Sequence, residues 1–399
     1  MKKVLMIAQR FPPAGGVGTF RVTKFVKYLP EFGWNPIVLT VRENSYQKGV
    51  WRDRGLEQNI ANNINIYRTK VWQTQSINDE GIRWLPFLLQ TLFKVIRKER
   101  PLLIYITGGP FFPLIVGPIL KLLFRLPYIV DLRDPWKLAK RTVPIQGVKA
   151  NIGQLLTNIA EPIVLKYAIK VICATDTLRE EYQSVYTDNP KKFFTITNGY
   201  DPEDFKNLKA KQYKKFTIAY TGKFERTEAF HNPTPFFNAL KILHDKGADI
   251  QFVHVGAKEE KVIILAKKTG VRSIIKFIGP KPHSETLSYA IGADLLLVIG
   301  SDRKMGLPVK MFDYIACRKP ILILAYKDEE IWHIGQEIPS AILLENNNSD
   351  NIAYAIEELY LKNKKIEWEG NIDFKYHRKN LTNVLSKVFN EILSVKEEK

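Results

Sequence analysis

The sequence predicts an α/β protein made of two doubly wound, Rossmann-like parallel-sheet domains facing a central cleft. Three observations predict it. At 399 residues, with 45% hydrophobic and 12% aromatic residues, the chain is long enough for two cores. Short apolar runs alternate with amphipathic segments of helical length almost throughout. The pattern also restarts after "NGYDPEDFKNLKAKQYKK", a polar, lysine-rich, turn-rich stretch that reads as a linker.

The elements follow in order. "KVLMIA" reads as a strand, "TFRVTKFVKYLPEFG" as an amphipathic helix closed near Gly33, and "PIVLTV" as the next strand. "LLIYIT", "PYIVDL", "KVICAT" and "FFTITN" supply further strands. Between them, "IRWLPFLLQTLFKVIRKER" is an unusually apolar helix flanked by Lys94, Arg97, Lys98 and Arg100. Residues 82–100 are expected either to be buried between domains or to lie on an anionic membrane.

The second half repeats the alternation more cleanly, with strands "FTIAYTG", "IQFVHVG", "IKFIG", "LLLVIG", "ILILA" and "AILLE" separated by helices. Strands joined this way imply parallel sheets covered on both faces. The last helix, "RKNLTNVLSKVFNEIL", is expected to cross back onto the first domain. The domains are therefore drawn as residues 1–205 plus 378–396, and 206–377. Ligands are expected at the carboxyl ends of the strands, in the cleft between domains.

Composition narrows the function classes. Two cysteines, Cys173 and Cys317, are too few and too far apart for a disulfide scaffold or a zinc site, so a reducing, cytoplasmic location is expected. "MKKVLMIA" is too short for a signal peptide, and no uncharged apolar run reaches the ~18 residues of a membrane span. The chain is expected to be soluble or peripheral on the inner face of the plasma membrane. Net charge is +19, with 29 Lys/Arg against 17 Asp/Glu through Phe205 and 31 against 24 beyond. Such an excess suits phosphorylated ligands or anionic lipid. No nucleic-acid partner is expected, because zinc fingers, RNP aromatics and long basic blocks are all missing.

Polar residues gather at the strand ends. In "QRFPPAGGVGTFR", Gly15, Gly16 and Gly18 stand between a strand and a helix, where backbone N–H groups approach an anion closely, or simply make a tight turn. In "VDLRDPW", Asp131, Arg133, Asp134 and Trp136 form either a salt-bridged turn or a polar cluster facing the cleft. "YTGKFER" presents Gly222, Lys223 and Arg226 where a phosphate could sit, and His231 follows. In "MGLPVKMFDYIACRKPILIL", Pro308 is placed at the first helical position, and Arg318, Lys319 and Pro320 end the helix. Lys310 and Asp313 share one face near its positive end. They read as an exposed ion pair, or as a diphosphate-facing cation and a carboxylate accepting from ribose hydroxyls.

Taken in order, "FPP…GGVGT", "DLRDPW", "ITNGYDPEDF", "YTGKF", "FIGPKPHSETLSYAIGADLLLVIG" and "PVKMFDYIACRKPIL" closely resemble the GT-B glycosyltransferases of family 4, the group 1 glycosyltransferases. The resemblance covers nearly the whole chain. It implies a second domain holding a nucleotide-sugar donor and a first domain holding the acceptor. It also implies retention of anomeric configuration, no cofactor and no metal, and the chain has no Asp-x-Asp motif.

The implied catalytic residues are Asp134, Lys223 and Lys310. The implied donor-binding residues are Gly16, Gly18, Gly222, Arg226, Gly306, Leu307, Pro308 and Asp313. Asp131, Arg133 and Trp136 fall on the acceptor side. Two positions depart from the family pattern: Met305 stands where the first of two glutamates is common, and Asp313 stands for the second. Glu228 also occupies the place of a phosphate-facing lysine, so Arg226 or Lys310 must substitute.

The expected activity is transfer of a sugar to a saccharide or lipid-linked saccharide, in bacterial surface polysaccharide biosynthesis. The alternatives are a nucleotide-sugar 2-epimerase-like isomerase and a non-catalytic sugar-nucleotide-binding partner.

Overall fold

Two parallel sheets organise the chain in a computed structural model that describes all residues except 48, 75, 76, 78, 139–147, 225–231, 301–303, 363–371 and 398–399. Arg226, Glu228 and His231, singled out above, lie outside the described residues. One unit comprises Met1–Asn198 and Arg378–Lys399, the other Gly199–His377.

The first unit holds β1 (Lys2–Ile7), β2 (Trp34–Val41), β3 (Asn65–Thr69), β4 (Leu103–Thr107), β5 (Tyr128–Leu132), β6 (Lys170–Cys173) and β7 (Phe193–Thr195). Their order is β3-β2-β1-β4-β5-β6-β7, and every pairing is parallel. β1, β4 and β5 are almost wholly buried, which is why they read as unbroken apolar runs. β3 escapes the sequence reading because "NIYRT" is a half-exposed edge strand without an apolar run.

The covering helices are α1 (Val17–Tyr28), α2 (Glu80–Glu99), α3 (Val116–Phe124), α4 (Val148–Tyr167) and α5 (Asp176–Val185). The unit is completed by the last helix of the chain, Arg378–Glu397. That helix places Leu381, Leu385 and Phe389 in one core cluster with Val22, Phe25 and Trp34. The Trp34 and Phe389 rings meet edge-on at 5.1 Å.

α2 corrects an expectation. Its apolar stripe, Trp84, Leu88, Leu92, Val95 and Ile96, is buried within its own unit, against β2, β3 and the turn Phe112–Ile115. The Trp84 indole N–H donates to Thr69 Oγ1 at 2.6 Å. The helix is long and apolar because its stripe roofs the sheet of its own unit.

The second unit holds β8 (Phe216–Thr221), β9 (Ile250–Val255), β10 (Ile275–Phe277), β11 (Leu295–Ile299), β12 (Ile321–Leu324) and β13 (Ala341–Leu344). All six were legible as strands, and they lie parallel in the order β10-β9-β8-β11-β12-β13. The helices are α6 (Thr234–Asp245), α7 (Glu260–Lys268), α8 (His283–Gly292), α9 (Lys310–Cys317), α10 (Glu330–Gln336), α11 (Ser349–Lys362) and α12 (Ile372–Lys375). The last helix of the chain, Arg378–Glu397, is then α13.

α9 begins two residues later than the sequence suggests. Pro308 lies outside it, although its carbonyl accepts the Met311 N–H at 3.0 Å in a tightened first turn. Arg318 ends α9 in the left-handed region, at φ 52°.

Strand order reverses between β1 and β4 in one unit, and between β8 and β11 in the other. In open parallel sheets, the crevice outside the carboxyl ends at such a reversal is the default ligand position.

Candidate active site

The reversal in the second unit carries the densest group of expected residues. After β8, Gly222 adopts φ +93°, a conformation L side chains rarely take, so the chain turns sharply there. Its N–H donates to the Val255 carbonyl at 2.8 Å, and its own carbonyl accepts from His254 Nε2 at 2.9 Å. A Cβ on Gly256 would lie 1.9 Å from that same carbonyl, so glycine is required there for close approach.

His254 is buried, and its other ring nitrogen, Nδ1, has no hydrogen-bond partner among the described residues. Burial, reinforced by the Lys310 charge, pulls the imidazole down to about 4. It is therefore neutral near pH 7, with Nε2–H as donor to Gly222. The peptide after β8 is pinned, and Gly222 and Lys223 stand exposed at the strand end.

Lys310, the first residue of α9, reaches the same place. Its ammonium lies 3.3 Å from the centroid of the Tyr220 ring, and the missing Gly222 Cβ would sit 3.8 Å from Nζ. Tyr220 is buried, and its hydroxyl donates to the Lys223 carbonyl at 2.8 Å. The Tyr314 hydroxyl, one turn further along α9, accepts the Thr221 N–H at 2.8 Å. α9 is thus stitched to the end of β8 through two tyrosines.

Lys310 and Asp313 take different partners and do not form the simple ion pair. Asp313 Oδ2 lies 3.2 Å from His283 Nε2, on the first residue of α8. Both side chains keep about a fifth of their surface exposed, 19% and 18%. Gly306, Leu307 and Pro308 form the half-buried approach to α9, with Leu307 packed on the core beneath. Glu329, which the sequence reading passed over, is buried beside the end of β11, where a Gly300 Cβ would meet its Oε2 at 2.4 Å.

In the first unit, the structure separates the "DLRDPW" residues into different jobs. Asp131 is fully buried and bound by Arg21 through two N–H donors, at 2.9 and 2.8 Å. Tyr105 and Thr107 hydroxyls donate to the same carboxylate, and Arg21 also donates to the Ile196 and Thr197 carbonyls. Burial, then the Asp131 charge, pushes the Tyr105 hydroxyl well above its ordinary value, so it remains a donor. The Asp131 carboxylate thus holds β4, β5 and α1 together within the first unit. Trp136 is likewise a wall residue, buried and stacked on Phe111 at 5.5 Å.

Arg133 is half-buried and Asp134 exposed at the end of β5. Arg133 donates to the Gly108 carbonyl at 2.8 and 2.6 Å and to the Gly109 carbonyl at 2.8 Å. A Cβ on Gly18 would lie 2.3 Å from its Nη1, so the guanidinium is seated against the first turn of α1. Burial draws this guanidinium below its ordinary value, opposed by the Asp131 and Asp134 charges. Gly16, at φ +98°, caps α1 and is exposed, as is Asp134. Gly16, Gly18 and Arg133 are therefore gathered at the β1/β4 reversal.

Residues 215–362, within the second unit, match the family described as "Glycosyl transferases group 1". No curated protein matches the chain. Among solved structures, sucrose-phosphate synthase from Thermosynechococcus elongatus aligns with TM-score 0.73 at 14% identity, covering 99% of this chain and 100% of that one. Anabaena HepE in complex with UDP and glucose aligns at 0.66 and 15%, covering 99% and 100%. UDP-GlcNAc 2-epimerase from Methanocaldococcus jannaschii aligns at 0.61 and 15%, covering 98% and 100%. The fold is GT-B, two parallel-sheet α/β domains shared by glycosyltransferases and epimerases.

Sequence reasoning missed Tyr220, His254, His283 and Arg21. Tyr220, Arg21 and His283 stand inside stretches already quoted, "YTGKF", "QRFPPAGGVGTFR" and "FIGPKPHSETLSYAIGADLLLVIG", and His254 in the strand "IQFVHVG". None was singled out, because a strand tyrosine or histidine and a helix arginine look ordinary without their neighbours.

Proposed function

We propose that the chain is a retaining, metal-independent glycosyltransferase of family 4. It would move a sugar from a nucleotide-sugar donor to a saccharide or lipid-linked saccharide acceptor, in bacterial surface polysaccharide synthesis. One observation carries the reading: the Lys310 ammonium is fixed on Tyr220 beside Gly222, at the strand reversal, inside the segment that matches group 1 glycosyltransferases.

On this reading the second unit holds the donor. As the bond between the sugar C1 and the diphosphate oxygen breaks, that oxygen keeps the electron pair and gains charge. Lys223, Lys310 and the first turn of α9 offset the charge, and Arg226 is assigned to the same role. Asp313, steadied through one oxygen by His283, accepts from the ribose hydroxyls. Gly306, Leu307 and Pro308 shape the approach to the phosphates. In the first unit, Gly16 and Gly18 face the donor phosphates, and Arg133 lines the acceptor side. The acceptor hydroxyl forms the new bond to C1 on the face that the leaving group vacates. Its proton passes to the departing phosphate oxygen or to Asp134.

The fold likeness to a 2-epimerase favours one rival, an isomerase that converts its nucleotide sugar with no acceptor present. Incubation with UDP-, GDP-, ADP- and CMP-sugars, with and without saccharide acceptors and with EDTA throughout, tests the reading. Acceptor-dependent release of nucleotide supports it. Conversion without acceptor assigns the isomerase, and binding without turnover of either kind assigns a sugar-nucleotide-binding partner. Loss of transfer in EDTA, restored by a divalent ion, removes metal independence.

A further inference from the structure

Among the described residues, exposed large aliphatic side chains cluster on α3 and α4 of the first unit. α4 shows an apolar stripe on the side turned from the core. Leu155, Ile159, Ile163 and Tyr167 follow one another at a spacing of four, and are 60%, 54%, 44% and 45% exposed. Such spacing puts all four on one face. The opposite face, with Ala160, Val164 and Leu165, is buried. α4 is thus apolar on both sides, which a helix covering a sheet in water does not need.

The stripe continues onto α3. Lys121 Nζ donates to the Tyr167 carbonyl at 3.0 Å, joining the end of α3 to the end of α4. There Leu122 and Leu123 are 81% and 59% exposed. Contiguous exposed aliphatics on this scale mark an interaction surface.

Charge identifies the occupant. Lys121, Arg125 and Lys166 are exposed around the stripe. Glu161 is the one acidic side chain among the described residues of α3 and α4, and it is buried, accepting from Lys137 N–H and the Tyr182 and Tyr186 hydroxyls. The exposed charges described on α3 and α4 themselves are therefore all positive, with Asp188 the exposed acid nearest to them, beside Lys192. A second copy packed face to face would set these cations against each other. An anionic bilayer satisfies both features at once, since aliphatic side chains enter the acyl boundary while cations meet phosphates.

We propose that the α3–α4 face of the first unit docks the protein onto an anionic lipid bilayer. The membrane face is then not the 82–100 helix, whose stripe is spent on the core. This inference does not depend on the reaction proposed above.

Flotation of the full chain tests it, with vesicles of phosphatidylcholine alone or mixed with phosphatidylglycerol, at about 0.1 M salt. The wild type is expected to float with the mixed vesicles only, and to be released at about 1 M salt. The double substitution Ile159→Glu with Ile163→Glu is expected to weaken binding by at least about tenfold, with an unchanged melting temperature because both sites are exposed. Leu122→Ser, at the most exposed position, is expected to weaken it less, and covers the case in which the double variant fails to fold. Gln90→Glu, on the exposed side of α2, should bind as wild type. The proposal is overturned if the wild type ignores anionic vesicles, or if neither α3 nor α4 variant weakens binding. It is equally overturned if the wild type is a dimer that the α4 variant makes monomeric, because the face then belongs to a second copy.

Discussion

Lys310 and Tyr220 come from different elements, yet the ammonium of one sits 3.3 Å from the ring centre of the other. The ring is buried in β8 and tied by its hydroxyl to the Lys223 carbonyl, so it offers the lysine a fixed seat. A cation over an aromatic face is stabilised by about 0.5–2 kcal/mol. Lys310→Ala is expected to cut turnover by about two orders of magnitude with little change in melting temperature, as for other charge stabilisers of a leaving group. Tyr220→Phe, which keeps the ring, should stay within a few-fold of wild type. Steady-state kinetics beside thermal melts check both, and full activity in Lys310→Ala removes the lysine from the mechanism.

His254 makes stability depend on pH in a defined direction. Its folded value, about 4, lies below the ordinary 6.5. Between these values the unfolded chain binds more protons than the folded one, so stability rises with pH up to about 6.5 and falls as pH drops towards 4. The loss from this one group between pH 7.5 and 5 is about 2 kcal/mol. Urea unfolding at the two pH values should show that loss shrinking in His254→Gln. An identical pH dependence in both proteins would exclude His254 as its source.

The two aspartates of "DLRDPW" should separate cleanly. Asp131→Asn leaves Arg21 buried with a weakened partner, and breaking such a pair costs about 3–5 kcal/mol. Any activity it loses should follow the fraction folded. Asp134 is exposed and should behave oppositely, with Asp134→Asn altering turnover at unchanged stability. Denaturant melts paired with kinetics on both variants decide the assignment.

Two glycines should differ for a reason visible in what surrounds them. Alanine at Gly256 meets the backbone carbonyl of Gly222 at 1.9 Å, an obstacle that cannot swing away. Alanine at Gly18 meets the Arg133 guanidinium at 2.3 Å, the end of a flexible side chain. Gly256→Ala is expected to cost about 3 kcal/mol or more, and Gly18→Ala about 1. Comparable melting temperatures in the two variants would contradict this account.

Most strands were legible because a strand buried on both faces must be apolar at every position, as "VLMI" and "LLLVI" are. β3 was not, because half of an edge strand faces water. The motif at residues 305–324 placed a helix where α9 stands, but the position of Lys310 depended on a ring contributed by β8. Asp131 shows the converse. Its sequence surroundings read as a salt-bridged turn or a polar cluster on the acceptor side, and in the fold its carboxylate is buried against Arg21.

The sequence by itself determined the alternation of strands and helices, the cationic excess and the local punctuation by glycine and proline. These follow from solvation and backbone sterics acting over a few neighbouring residues. Only the tertiary structure decided which charges meet, which aspartate is spent on the core, and which of two apolar helices keeps its stripe in water. Those outcomes depend on burial and on distances between residues far apart in the chain, which no local pattern encodes.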